Sequence, residues 1–216
     1  MNYQDFFQCL KGVGRLDLSG LALPVLGTKY ALYPICCHAG KIDRAVIEML
    51  TAARNANINS FLTSFTATAD RTRLWLVNSV ASDSSRILFS LKDVQSGELY
   101  GYMGLAYGDP SGSRIEGDAI VRYSEHSEPG LMRTAFMQLV EWVRKDLGIN
   151  EIWIRVLSDN PALGFYQRCS FKSLSVSPLF EIRNPDGEIE ALTESLDNNS
   201  GLSIRTLTYM KYFPSE

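Results

Sequence analysis

Asn160 and Tyr166 are the polar residues whose positions in the sequence are best suited to chemistry. Residues 152–157 alternate in the manner of a strand, and Asn160 lies in the polar turn that follows them. Pro161 then suits the first turn of a helix, where its missing N–H is not needed. Tyr166 lies about two turns along that helix. An amide accepts and donates hydrogen bonds and a phenol can donate a proton, so this segment presents a binding group and an acid.

Glu116 and Asp118 form the second candidate group. Residues 114–122 are predicted to be a strand, and side chains two residues apart on a strand point to the same face. A carboxylate on such a face can take a proton from a reacting group, as a general base does. The alternative is that the two are surface carboxylates, or that they form ion pairs with Arg114 or Arg122.

Gly130 precedes the most regular helical pattern in the chain, over residues 131–147, which Gly148 ends. The N-terminus of a helix has free N–H groups and the positive end of the helix dipole, so it can bind a phosphate group. A glycine lets that group approach the backbone closely. The alternative is that Gly130 only begins the helix and that Arg133, in its first turn, is solvated.

Residues 152–171, IWIRVLSDNPALGFYQRCSF, resemble the last motif of the GNAT acetyltransferases. In that family a strand is followed by an Asn at a helix start, a Phe-Tyr pair and a Gly-Phe. Asn160, Phe165, Tyr166 and Phe171 match this order. Ser170 stands where the family usually has Gly, and this departure is confined to a turn.

The resemblance implies that acetyl-CoA is the cosubstrate and that its pyrophosphate binds at the start of the 131–147 helix. Gly130 matches the family's phosphate loop, whereas Ser127 and Met132 depart from it, and Glu128 brings a negative charge that Arg133 could offset. The pantetheine arm is expected to pair with backbone groups near residues 120–122. The cofactor-binding residues implied are Ile120, Arg122, Gly130, Leu131, Met132, Arg133 and Asn160.

The resemblance also implies catalytic roles. Tyr166 is expected to protonate the leaving thiolate, and Asn160 to bond the cofactor arm, to cap its helix, or both. Some family members carry a catalytic Glu on the third meander strand, which favours Glu116 over Asp118 as the base. A backbone N–H near residue 121 is the expected donor to the thioester oxygen.

The order of predicted elements gives the fold class. Strands are predicted over 29–37, 86–92, 98–107, 114–122 and 203–212, and helices begin at Asp43 and Asp70, the latter with Leu74, Trp75 and Val77 buried. Residues 1–28 are predicted to be an irregular N-terminal extension, and 185–201 to contain a hairpin tip or loop. We therefore expect one acyltransferase domain over 1–216, of the α/β class, with a GNAT-type mixed, mostly antiparallel sheet and helices on both faces.

Composition limits the partners. A chain of 216 residues with net charge −3 argues mildly against a nucleic-acid or acidic-membrane binder, and no apolar run reaches the ~20 residues of a membrane span. The four cysteines lack CxxC spacing, which predicts reduced thiols, and no signal peptide is visible, so we expect a cytoplasmic protein. Cys36, Cys37 and His38 are consecutive and diverge on a strand, so no metal site is expected.

The acceptor is expected to be a small-molecule primary amine. The run IEGDAIVR and residues 152–171 look most like acetyltransferases of nucleotide-linked amino sugars. Two alternatives stay open: acetylation of protein N-termini, including ribosomal ones, and a non-catalytic acyl-CoA-binding module. The acceptor pocket is expected to draw on Tyr30, Tyr33 and Arg54, and on Trp75 or Tyr102, for most of which core packing is the alternative. A homodimer also stays open.

Overall fold

The computed structural model of the chain describes residues 2–12, 21–124, 128–195 and 201–214. Ser127, the residue that departs from the family's phosphate-loop pattern, lies outside these residues. Two compact units are distinguished by their internal contacts. The first comprises Met1–Arg54 and Ala67–Ile152, and the second Asn55–Thr66 and Trp153–Glu216.

The first unit contains an antiparallel run of strands. They follow one another in the order β1-β2-β3-β4-β5, so each strand pairs with its neighbour in sequence. The strands are β1 (Leu23–Pro24), β2 (Tyr30–Pro34), β3 (Ile87–Asp93), β4 (Leu99–Ala106) and β5 (Arg114–Arg122). The predicted meander is confirmed, with β5 at the predicted bounds.

The helices that begin in this unit are α1 (Tyr3–Gly12), α2 (Arg44–Ala56), α3 (Ala69–Trp75) and α4 (Leu131–Lys145). The prediction for α3 needs a correction. The side chain of Thr68, not Asp70, caps the helix, and Leu74 is 49% exposed rather than buried. The buried side of this segment instead runs through Thr72, Leu76 and Val80, which are four residues apart, and a π turn spans Leu76–Val80.

The prediction that residues 1–28 are irregular was wrong for α1. Phe7 and Leu10 are buried, and the Phe7 ring stacks on Trp142 of α4 with centroids 6.4 Å apart. The glycines that suggested irregular chain begin only at Gly12, the last residue of the helix. Lys11 fixes the end of α1, because its Nζ donates to Val80 O at 2.8 Å and to Asp83 O at 2.6 Å, and burial lowers its pKa.

The second unit is a four-strand arrangement in its described part, in the order β6-β9-β7-β8. The strands are β6 (Glu151–Leu157), β7 (Phe171–Arg183), β8 (Ile189–Thr193) and β9 (Gly201–Tyr212), and the helix α5 (Ala162–Arg168) joins β6 to β7. Every one of these ladders is antiparallel, and a cluster of leucines packs together in this unit: Leu157, Leu179, Leu192 and Leu207.

The polar segment 185–201 is partly as predicted. A hairpin tip is present, closed by a hydrogen bond from Asn184 N to Glu188 O at 2.9 Å. The segment also contains strand β8, which the polar composition did not predict. Leu192 is the buried residue that anchors this strand. The fold class is confirmed as mixed α/β with mostly antiparallel strands.

Among the described helices, none combines the length and the apolar character that crossing a membrane requires.

Candidate active site

A β-bulge interrupts β5 at the residues predicted to hold the cofactor arm. Ala119 and Ile120 together lie opposite the single residue Met103 of β4. Ala119 has a φ of 51°, in the left-handed region that residues other than glycine rarely adopt. A bulge leaves the extra residue outside the ladder, so its backbone groups are not committed to β4. Nothing in the sequence signals this bulge, because the strained residue is an alanine.

The end of β5 and the start of α4 are packed closely together. Gly101 of β4 pairs with Arg122, and a Cβ atom at Gly101 would lie 2.5 Å from the carbonyl oxygen of Val121 and 3.1 Å from Sδ of Met132. Only a glycine tolerates that approach. The predicted cofactor residues Arg122 and Met132 are therefore neighbours at one end of β5.

Glu116 and Asp118 lie on the same face of β5, as the sequence predicted, because the register with β4 is continuous over them. Their surroundings differ. Glu116 is 5% exposed, with its carboxylate 4.0 Å from the guanidinium of Arg114. The Asp118 side chain is 26% exposed, with Oδ2 lying 3.4 Å from Nε of Arg86. The pairing with Arg114 was an alternative drawn from the sequence, whereas Arg86 was missed.

Tyr102 of β4 lies on the same face of the sheet as Asp118, and both Asp118 and Arg54 of α2 are close enough to act on its phenol. Burial raises the pKa of the Tyr102 phenol, the Arg54 cation acts in the opposite direction, and the Asp118 carboxylate adds to the rise. Arg54 is half-buried, and burial lowers its pKa, with the charge of Arg71 acting the same way. A guanidinium stays charged at physiological pH, so Arg54 and Arg71 bring positive charge to this side of the first unit.

Gly130 has the conformation that the phosphate-loop hypothesis needs. Its φ is 84° and its ψ is −7°, a left-handed geometry at the position before α4. Apart from its chain neighbours, no residue that the structure describes has an atom within 4 Å of where the Cβ of Gly130 would be. Among the described residues, the amide of Leu131 donates to Glu128 O, and that of Thr134 to Gly130 O. The intervening N–H groups of the first turn are the ones suited to a phosphate.

Glu128, the acidic residue close to Gly130, has a hydrogen-bond partner within the protein. Its Oε1 accepts a hydrogen bond from the hydroxyl of Tyr30 at 3.1 Å, and the Tyr30 ring packs edge-on against Tyr100 with centroids 5.0 Å apart. Burial and the bond to Glu128 raise the pKa of Tyr30. Tyr30 is 3% exposed. It is therefore a core residue whose hydroxyl holds the loop before α4.

Arg133 lies beside a groove on the outer face of α4. The groove has a volume of about 310 Å³. It is lined by Leu26, Arg133, Thr134, Met137, Gln138 and Glu141. The first turn of α4 thus carries backbone N–H groups and the guanidinium of Arg133, both of which suit an anionic group.

Asn160 and Tyr166 lie in the second unit. Oδ1 of Asn160 accepts a hydrogen bond from the N–H of Ala162 at 2.9 Å, which confirms that Asn160 caps its helix. The cap leaves the side-chain N–H groups of Asn160 as the ones that suit a ligand carbonyl. Tyr166 is 7% exposed, with its ring edge-on to Phe165 and Phe171 at centroid distances of 5.2 and 6.3 Å.

Ser170 adopts a φ of 65°, which is the left-handed conformation that glycine tolerates best. The resemblance had marked this position as one where Gly is usual. The serine keeps the same backbone, with its N–H bonded to Gln167 O at 3.1 Å. The turn that leads Phe171 into β7 is therefore retained.

No group of three or more His, Cys, Asp and Glu suited to a metal ion occurs within residues 2–12, 21–124, 128–195 and 201–214.

Comparison with known proteins adds independent information. Residues 42–172, more than half of the chain, match the family model described as an acetyltransferase (GNAT) domain. No curated protein matches the sequence.

Solved structures share the fold at low sequence identity. A probable acetyltransferase of the GNAT family from Chromobacterium violaceum has a TM-score of 0.64 and 17% identity, with 88% of this chain and 84% of that chain covered. A GCN5-related N-acetyltransferase from Brucella melitensis has a TM-score of 0.61 and 16% identity, covering 86% and 76%. The spermidine/spermine N-acetyltransferase SpeG from Vibrio cholerae, in complex with manganese ions, has a TM-score of 0.55 and 18% identity, covering 85% and 91%.

Proposed function

Because the chain belongs to the GNAT acetyltransferase family and is therefore an acetyl-CoA-dependent acetyltransferase, we propose that its acceptor is the primary amine of a nucleotide-linked amino sugar. The observation that carries this proposal is the half-buried guanidinium of Arg54 beside Tyr102, on the side of the first unit that carries Asp118. An arginine fork suits a diphosphate, and Arg71 adds a like charge nearby.

The charges around Glu116 and Asp118 disfavour a polyamine as the acceptor. A polycationic substrate needs carboxylates that are not already beside cations. Both carboxylates of this face have an arginine close by, Arg114 at 4.0 Å from Glu116 and Arg86 at 3.4 Å from Asp118. The likeness to spermidine acetyltransferases at 18% identity concerns the fold.

Acetyl-CoA supplies the acetyl group as a reactive thioester. The residues at the start of α4 suit its pyrophosphate: the left-handed Gly130, the N–H groups of the first turn, and the guanidinium of Arg133. Backbone groups freed by the bulge at Ala119 and Ile120 suit the amide arm and the thioester oxygen.

In this proposal Asp118 accepts the proton that the amine loses when its nitrogen bonds to the acyl carbon. Asp118 is preferred to Glu116 because more of its side chain is exposed, 26% against 7%. Tyr166 donates its hydroxyl proton to the sulfur as the carbon–sulfur bond breaks, and the side-chain amide of Asn160 bonds the cofactor arm.

The test is thiol release from acetyl-CoA with a panel of UDP- and dTDP-linked amino sugars, free amino sugars, spermidine and short peptides. We expect the highest kcat/KM with a nucleotide-linked amino sugar. Arg54→Gln should raise the KM for that substrate by about 10-fold or more, the value of a lost charged hydrogen bond. It should leave the KM for the free amino sugar unchanged, since the diphosphate is absent there.

Arg73→Gln is the matched control, because Arg73 is an exposed arginine of α3 whose nearby partner is Asp70 at 3.7 Å. This variant should behave as wild type. Preferred turnover of spermidine or of a peptide would contradict the amino-sugar proposal. So would equal effects of Arg54→Gln on the nucleotide-linked and the free sugar.

A further inference from the structure

Arg205 of β9 forms a bidentate ion pair with Asp159, in the turn that carries Asn160. Its Nε donates to Oδ2 of Asp159 at 2.9 Å, and its Nη2 donates to Oδ1 of the same carboxylate at 2.8 Å. Nη2 also donates to the backbone oxygen of Asn59 at 2.9 Å. Most surface ion pairs contribute little, but a bidentate pair with a third hydrogen bond has a defined geometry. Neither Asp159 nor Arg205 was singled out from the sequence.

The shape of β9 is what allows Arg205 to do this. Ladder pairing with β7 stops between Thr206 and Leu202, where Ser203, Ile204 and Arg205 lie opposite a single residue of β7. The N–H of Arg205 is bonded to Oγ of Ser203 at 3.1 Å instead of to the ladder. Ile204 is 99% exposed, so the bulged segment protrudes from the strand. A bulge redirects a side chain in this way, and here the redirected side chain is Arg205.

The residue before Asp159 is held by the same strand. Oγ of Ser158 is bonded to the hydroxyls of Thr206 and Thr208 at 2.8 and 2.7 Å, and the N–H of Ser158 donates to Thr206 O at 2.9 Å. Consecutive residues of the turn are therefore attached to β9 by side-chain and backbone bonds. Asn160 comes next, and its side chain holds the first N–H of α5.

We propose that Arg205 is a positioning residue for acetyl transfer: through Asp159 it fixes the turn that sets Asn160 and the start of α5, and thereby the helix that carries Tyr166. This inference rests on the proposed roles of Asn160 and Tyr166. It makes the bulge of β9 part of the catalytic machinery without any contact between Arg205 and the substrate. A displacement of a catalytic group by about 1 Å can cost about 100-fold in rate, so a small movement of α5 is enough.

The principal test is steady-state kinetics of Arg205→Met and Arg205→Lys, with melting temperatures and CoA affinity measured on the same preparations. We expect Arg205→Met to lower kcat by about 10- to 100-fold while the KM for the acceptor changes little. Arg205→Lys should be intermediate, since an ammonium keeps the charge but not the planar fork. Arg183→Met is the matched control, because Arg183 pairs with Glu181 of its own strand β7, and it should keep the wild-type kcat.

A double-mutant cycle identifies the route. If Arg205 acts through the carboxylate, Asp159→Asn combined with Arg205→Met should lower kcat no more than Arg205→Met alone. A fully additive loss would overturn the proposed route. A lower melting temperature with an unchanged kcat per folded enzyme would show a purely structural role and overturn the proposal.

Amide hydrogen exchange separates this proposal from the proposed function. If the wild type releases no thiol with any acceptor, the proposed function fails, but exchange still tests the positioning. Arg205→Met should then speed exchange of the amides of residues 162–168 relative to Arg183→Met. Unchanged exchange there would overturn the positioning role on its own.

Discussion

At the scale of single residues, Asp118 and Glu116 differ in how far a substrate can reach them. They share a face of β5, yet Glu116 is 5% exposed beside Arg114, whereas the Asp118 side chain is 26% exposed. A general base must come within hydrogen-bond distance of the proton that it takes. The more exposed carboxylate satisfies that condition better, and we therefore propose Asp118 as the base, where the family resemblance favoured Glu116.

Asp118→Asn should therefore lower kcat by about 100-fold or more, the usual contribution of a general base, with little change in CoA affinity. Glu116→Gln should lower the melting temperature, because it alters a buried group, and it should lower kcat less than Asp118→Asn does. Kinetics, calorimetry of CoA binding and thermal melts on both variants give the comparison. Loss of turnover in Glu116→Gln together with near-normal turnover in Asp118→Asn would contradict this assignment.

Some residue-level features could be predicted from the sequence and others could not. Asn160 as a helix cap follows from its place between a strand and Pro161, because capping depends on neighbours in sequence. The hydrogen bond between Tyr30 and Glu128 joins residues 98 positions apart, so no local sequence pattern predicts it. The contact of Arg86 with Asp118 is missed for the same reason.

At the scale of elements, α4 is flanked by two left-handed glycines, Gly130 directly before it and Gly148 three residues after its last residue, Lys145. Gly130 and Gly148 have φ of 84° and 70°, and a Cβ at either would meet no atom within 4 Å in the part of the chain that the structure describes. An alanine at either position would suffer the same left-handed strain, about 1 kcal/mol, with no steric clash. Gly148 therefore serves as a control for backbone strain, because only Gly130 is proposed to lie at a binding site.

Gly130→Ala should raise the KM for acetyl-CoA several-fold, because the methyl group occupies the space in front of the amides proposed to hold the pyrophosphate. Gly148→Ala should lose a similar amount of stability and keep the wild-type KM. Thermal melts and CoA titrations on the pair provide the measurement. Equal CoA affinity in the two variants would remove α4 from the proposed cofactor site.

Elements were predictable where periodicity was strong. The bounds of β5 and the start of α4 agree with the sequence pattern, because alternation and helical spacing persist over many residues. The helix α1 was missed because the glycines from Gly12 onward indicated irregular chain for the whole of residues 1–28. The bulge at Ala119 and the π turn over Leu76–Val80 were missed because they are irregularities set by packing, not by composition.

At the scale of the whole molecule, the predicted site residues belong to both compact units. The carboxylates, the bulge and the start of α4 belong to the first, and Asn160 and Tyr166 to the second. The proposed reaction therefore assigns roles to residues of each unit. Tyr166 is the sharpest probe of the proposed reaction, because a single hydroxyl is assigned a single proton transfer.

The most direct measurement is the kcat of Tyr166→Phe with CoA affinity determined alongside. The substitution keeps the ring that packs against Phe165 and Phe171, so the fold should be retained. Tyr212→Phe is the matched control, since Tyr212 is also buried and also packs against Phe171. We predict a fall in kcat of about 100-fold for Tyr166→Phe, unchanged CoA affinity, and wild-type kcat for Tyr212→Phe. A wild-type kcat in Tyr166→Phe would contradict the proposed acid and the transfer mechanism built on it.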